Sequence, residues 1–272
     1  MRLRWDSKKV REISSYSFSA WLGSLGSVLF SQGDRLAIGS ILGPTEVGIY
    51  TAITSVAAQI NSLSSIFVQP LLPFISQTNV VTDKSHLKSV MQVDFILVFC
   101  VSGVLLVFSN VLVPLLIGFH FTTQYLLCFN TIVIIYGFFS VNATGYFVML
   151  GTKSTTSFLL IQLFSGVLTI VLIIIGALHG GIIGAFWGNV GYCFVWLLTF
   201  KGFSQLNIYF SEWGAWIRFP TICFSIMSVV ALLPINNFIK IVILITGILS
   251  LTAWGKQYFY YKQYLFGKTV KG

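Results

Sequence analysis

Residues 31–62, "SQGDRLAIGSILGPTEVGIYTAITSVAAQINS", set an acid and a base side by side, Asp34 and Arg35, in an otherwise apolar run that starts near residue 13. A second apolar run begins just past the break at Gly43-Pro44. A bilayer core takes roughly 20 apolar residues per helix, so each run is long enough to cross one. Working outward, comparable runs lie near 13–41, 49–76, 90–117, 124–150, 155–178, 181–200, 219–236 and 238–254. The chain is 56% hydrophobic and only 8% charged, with a mean hydropathy of +0.89, far from soluble averages. The expected fold is an all-α polytopic membrane protein with about eight transmembrane helices. Only His179-Gly180-Gly181 separates the fifth and sixth runs, and Pro234-Ile235-Asn236-Asn237 the last two, so a seven-span reading stays open.

The net charge of +9 does not point to nucleic acid here, because the basic residues sit in short breaks where they set topology. With eight spans, Arg2, Arg4, Lys8, Lys9 and Arg11 fall on the same side as Lys84 and Lys88, Lys153, Lys201 and Arg218, and Lys256, Lys262, Lys268 and Lys271. Lys240 falls on the other side and Arg35 inside the first span. Both termini are therefore expected to be cytoplasmic, and no cleavable signal is apparent. Residues 201–217 carry Phe203, Leu206, Phe210, Trp213 and Ile217 at helical spacing, which predicts an amphipathic segment lying flat on the membrane. Two further spans follow in 218–255, and a basic aromatic tail, 256–272, around Tyr258-Phe259-Tyr260-Tyr261-Lys262. Cys100, Cys128, Cys193 and Cys223 fall singly in separate runs, which predicts packing roles and neither a metal nor another cofactor.

On a wheel of about 100° per residue, Ser17, Ser24, Ser27, Ser31, Asp34 and Arg35 share one face of the first span. Thr51, Ser55, Gln59, Ser62, Ser65 and Gln69 share one face of the second. Such stripes either hydrogen-bond neighbouring helices or wall a water-accessible cavity. A charge at a helix centre costs about 2.5 to 3.5 kcal/mol on insertion scales. Asp34 and Arg35 therefore either snorkel to the outer surface or put Arg35 in the cavity. There its planar fork would suit phosphate oxygens, with Asp34 as local counter-charge. Asp94 reads as a solvated charge at the inner end of the third span, Asn130 and Asn142 as cavity or interhelical groups, and Pro70 and Pro73 as a kink. The substrate-binding candidates are Arg35, Asp34, Ser24, Ser27, Ser31, Gln59, Ser62, Gln69, Asn130 and Asn142.

The stretch from Ser31 to Gln77 resembles the start of the second lobe of Wzx-type O-antigen flippases. These belong to the superfamily of multidrug, oligosaccharidyl-lipid and polysaccharide exporters. The marks are Asp34-Arg35, Leu42-Gly43-Pro44, Val47-Gly48-Ile49-Tyr50 and Pro73 to Ser76, with Gly151-Thr152-Lys153 and Gly180-Gly181-Ile182-Ile183-Gly184-Ala185 further on. The resemblance implies one six-helix lobe of an exporter-type fold, 13–200, preceded by a linker-like segment, 1–12, and followed by two extra helices. It implies a lipid-linked oligosaccharide as cargo, carried on a polyprenyl diphosphate across the bacterial inner membrane for O-antigen or other surface polysaccharide. The partners would be membrane lipids and either a missing N-terminal lobe or a second copy. Two other readings stay open: a drug or cation antiporter of the same superfamily, and a non-transporting remnant or accessory subunit. An enzyme is not expected, since the outer loops are short and carry no acid-base or nucleophile constellation.

Overall fold

The structure, a computed structural model, describes residues 32–77, 84–118, 123–152 and 154–267. All regular structure among them is helical. The first span enters as α1, residues 32–42, and breaks at Gly43, whose φ of 94° is left-handed. Pro44 then opens α2, Pro44–Val68, where its missing N–H costs nothing and its fixed φ suits a first turn. The expected kink falls at Pro70: α2 stops, and the short α3, Leu71–Gln77, carries the chain on. The third run is likewise two pieces, α4, Lys84–Val107, and α5, Ser109–Ile117. The fourth is α6, Thr123–Ser140, and α7, Ala143–Gly151.

Next comes a continuous apolar stretch of 50 residues, Thr156–Gln205, about 75 Å as a straight helix against a bilayer core of ~30 Å. It folds back on itself. The first arm belongs to α8, Thr155–Gly188, which contains a reversal at Gly181, where φ is 57° and ψ −143°. The second arm continues through a 3₁₀ turn, Asn189–Val195, into α9, Trp196–Gln205. Gly176 and Gly184 abut backbone to backbone, so that a Cβ on either would enter the other's peptide. Further down, Gly188 lies against Ile173 and Gly191 against Thr169. Small residues let membrane helices approach this closely. Counted as two arms, the stretch agrees with the separate fifth and sixth spans of the sequence.

The last spans are α10, Phe210–Leu232, and α11, Asn237–Gly267. α11 lies along α4, α2 along α6 and α7 along α9. The core between them is aromatic, with Phe99 stacked on Phe224 at 4.2 Å and Phe138 edge-on to Phe224 at 5.1 Å. In a bilayer these contacts compete with lipid rather than water, so close packing is what selects the arrangement.

One expectation needs correction. Residues 201–217 form no separate surface helix, but divide between the end of α9 and the first turns of α10. Phe203, Trp213 and Ile217 are buried, with the Trp213 ring 5.6 Å from that of Phe203 and 5.1 Å from that of Phe200. Three of the five side chains of the apolar face identified from spacing are thus covered by protein, while Phe210 stays exposed. The side chains of Tyr258–Lys262 lie outside the described part.

Polar contacts gather helix ends into two groups. At one end Lys84 pairs with Glu212 at 3.1 Å, Lys201 Nζ donates to Ser157 Oγ at 2.7 Å, and Thr152 Oγ1 donates to Gln205 Oε1 at 2.7 Å. At the other, Tyr125 Oη donates to Glu46 Oε1 at 3.3 Å and Lys240 Nζ to the Ala231 carbonyl at 3.0 Å. Lys84 and Lys201 thus share one end and Lys240 takes the other.

Candidate functional site

The exposed surfaces of the spans differ in chemistry. The hairpin shows Leu160, Phe164, Val167, Val171 and Ile175 outward, and α10 shows Phe219, Ile222, Ile226 and Val229, as expected of lipid-facing sides. The outer face of α2 instead carries Ser55, Gln59, Ser62 and Gln69, all exposed, with Leu63 and Ile66 among them. Among the described spans, only α2 has an exposed glutamine in its middle section. An amide left to hydrocarbon is costly, so this face belongs against water or a polar partner.

The Ser55 and Ser62 hydroxyls of the stripe and one amide hydrogen of Gln59 are spent on their own helix. Ser55 Oγ donates to the Thr51 carbonyl at 2.6 Å, Ser62 Oγ to that of Ala58 at 3.3 Å, and Gln59 Nε2 to that of Ser55 at 3.4 Å. Such back-bonding to residue i−4 leaves the oxygen lone pairs outward. The stripe therefore offers acceptors, which suit a ligand rich in hydroxyl donors.

Arg35 is half-buried near the end of α1, and its Nη1 donates to Gln32 Oε1 at 3.3 Å. Among the described residues its buried Nε has no hydrogen-bond partner, which leaves a permanently charged group with donor capacity to spare. Its neighbour is used differently. Asp34, 7% exposed, accepts the Arg35 backbone N–H at 2.7 Å and lies 3.0 Å from the Tyr50 hydroxyl. That hydroxyl is also 3.0 Å from Asn189 Oδ1, and Asn189 Nδ2 donates to the Ala185 and Phe186 carbonyls at 3.2 Å each. Asp34 therefore clamps α1 to α2 and the 3₁₀ turn, and its burial speaks against the one of the two alternatives in which it snorkels to the outer surface.

Asn130 and Asn142 lie apart from the stripe. Asn130 Nδ2 donates to the Ala231 carbonyl at 3.3 Å and Asn142 Oδ1 accepts from the Thr199 hydroxyl; both are buried links between helices. Ser24, Ser27 and Ser31 lie outside the described residues. Asp94 is no solvated end charge. It is wholly buried, with Ser64 Oγ 2.7 Å from its Oδ1. Ser64 sits on the face of α2 opposite the exposed stripe, and wheel reading passed over it because it stands alone there. Among the described residues, no group of three or more His, Cys, Asp or Glu could hold a metal ion.

Several apolar helices around one packed core, with a polar outer face on α2, define a multi-pass membrane protein. Residues 4–79 match the family model described as polysaccharide biosynthesis protein. The match takes in α1, α2 and α3 and so includes the stripe. No curated protein matches the chain, and no solved structure does.

Proposed function

We propose that the chain is a transporter component that moves polyprenyl-diphosphate-linked oligosaccharide repeat units across the bacterial inner membrane for O-antigen or another surface polysaccharide. The observation that carries this reading is the exposed, acceptor-rich face of α2, which lies within the residues matching the polysaccharide biosynthesis family. In this reading Gln59, Ser62 and Gln69 accept hydrogen bonds from sugar hydroxyls, and Arg35 engages a phosphate or an acidic sugar. Neither role needs bond-making chemistry, so the chain is read as a transporter rather than an enzyme. The face is completed by a second bundle, supplied by another lobe or a second copy, since alternating access requires two bodies around one path. The end that holds Lys84 and Lys201 is read as cytoplasmic.

The test is thiol labelling in native membranes. In a background lacking the four native cysteines, Gln59→Cys and Ser62→Cys should react with a membrane-impermeant maleimide, and Ile226→Cys should not. Purified lipid-diphosphate oligosaccharide should cut labelling at Gln59→Cys several-fold. Labelling indifferent to that lipid would count against this cargo. Absence of labelling at both stripe positions would remove the water-facing path.

A further inference from the structure

The core holds a second carboxyl group that the stripe does not use. Asp94 lies ten residues into α4, about 15 Å from its start. It is 0% exposed, as are Ser64, Ser140 and Thr144 around it. Ser64 Oγ stands 2.7 Å from Asp94 Oδ1 and 2.9 Å from the Ser140 carbonyl oxygen. We propose that Asp94 is a proton-carrying site: its carboxyl group donates a proton to Ser64, and the Ser64 hydroxyl donates in turn to the Ser140 carbonyl.

Hydrogen counting leads to this arrangement. A serine hydroxyl has one hydrogen, and a backbone carbonyl can only accept. With Asp94 ionised, two buried acceptors compete for that hydrogen and one is left without a donor, which a buried polar group avoids. With Asp94 protonated, every member of the chain is served. Thr144 Oγ1 is a further hydroxyl beside the carboxyl group; among the described residues it, Ser140 Oγ and Asp94 Oδ2 make no hydrogen bond of normal geometry. Among the described residues no titratable side chain of α2, α5, α6, α7, α10 or α11 faces Asp94, and on α4 itself Lys84, His86 and Lys88 are one and a half turns or more away.

The proton has a structural consequence. Ser140 is the last residue of α6, and the Ser64 hydroxyl caps its carbonyl at the break before α7. When the proton leaves, Ser64 turns its hydrogen to the carboxylate and that cap is lost. Proton occupancy at Asp94 therefore selects which acceptor Ser64 serves, and with it the state of the α6–α7 break. This holds whatever cargo the chain carries.

Infrared spectroscopy of the full chain in lipid bilayers tests the site. Near neutral pH the spectrum should contain a carboxylic-acid C=O component that is lost completely in Asp94→Asn and kept in Glu46→Gln. In Ser64→Ala that component should persist at higher frequency, as its hydrogen bond is gone. Asp94→Asn should keep the wild-type thermal midpoint, because an amide N–H can donate to Ser64 as the acid does. The proposal is overturned if no acid component depends on Asp94. It is overturned equally if exchanging choline for sodium shifts carboxylate bands in the wild type but not in Asp94→Asn, because the site would then hold a metal cation.

Discussion

Tyr50 shows how much one oxygen can organise. It is fully buried, its ring meets Phe186 at 4.9 Å, and its hydroxyl joins Asp34 on α1 to Asn189 on the 3₁₀ turn. Tyr50→Phe keeps the ring contact and removes the one hydrogen that the two buried acceptors share, so a loss of about 1–3 kcal/mol is expected, read as a lower thermal midpoint in detergent. The wheel found Gln59, Ser62 and Gln69 because an exposed stripe on one helix is a local property. It could not find Tyr50 with Asn189, 139 residues apart, or Ser64 with Asp94, 30 apart. Those pairs depend on which helices become neighbours. The burial of Asp34 was hidden for the same reason, since its environment comes from α2 and the 3₁₀ turn rather than from its own segment.

At the level of the element, the span limits were legible because hydropathy and the breakers Gly43, Pro44, Pro70 and Gly181 act locally. The segment 201–217 was misread for an equally physical reason: spacing reports that a helix has an apolar face, not whether lipid or protein covers it. The hairpin depends on the seam between its arms. Gly184→Leu would drive a side chain into the Gly176 backbone, and overpacking of this kind costs about 1–3 kcal/mol or more. Gly180→Ala, with nothing within 4 Å of a Cβ, should be nearly silent. Thermal unfolding of the two variants side by side checks the contrast.

Across the whole molecule, sorting by chemistry separates a lipid-facing surface on the hairpin and α10 from the polar face of α2. The ends sort by topology. Cysteines placed at Lys84 and Glu212 should label from the same side of the membrane, and one at Lys240 from the opposite side. The Lys84–Glu212 pair is exposed, with side chains 45% and 39% accessible, so it marks proximity more than it stabilises. Lys84→Glu should cost no more than about 1 kcal/mol, and adding Glu212→Lys should restore part of it. The hairpin also has a consequence in time. Ribosomes add about 5–20 residues per second, so the roughly 25 residues of the second arm arrive about 1 to 5 seconds after the first arm is complete. During that interval the seam of Thr169, Ile173 and Gly176 meets lipid instead of Gly191, Gly188 and Gly184. The order of synthesis makes the first arm wait for the surface that its glycines were shaped to meet.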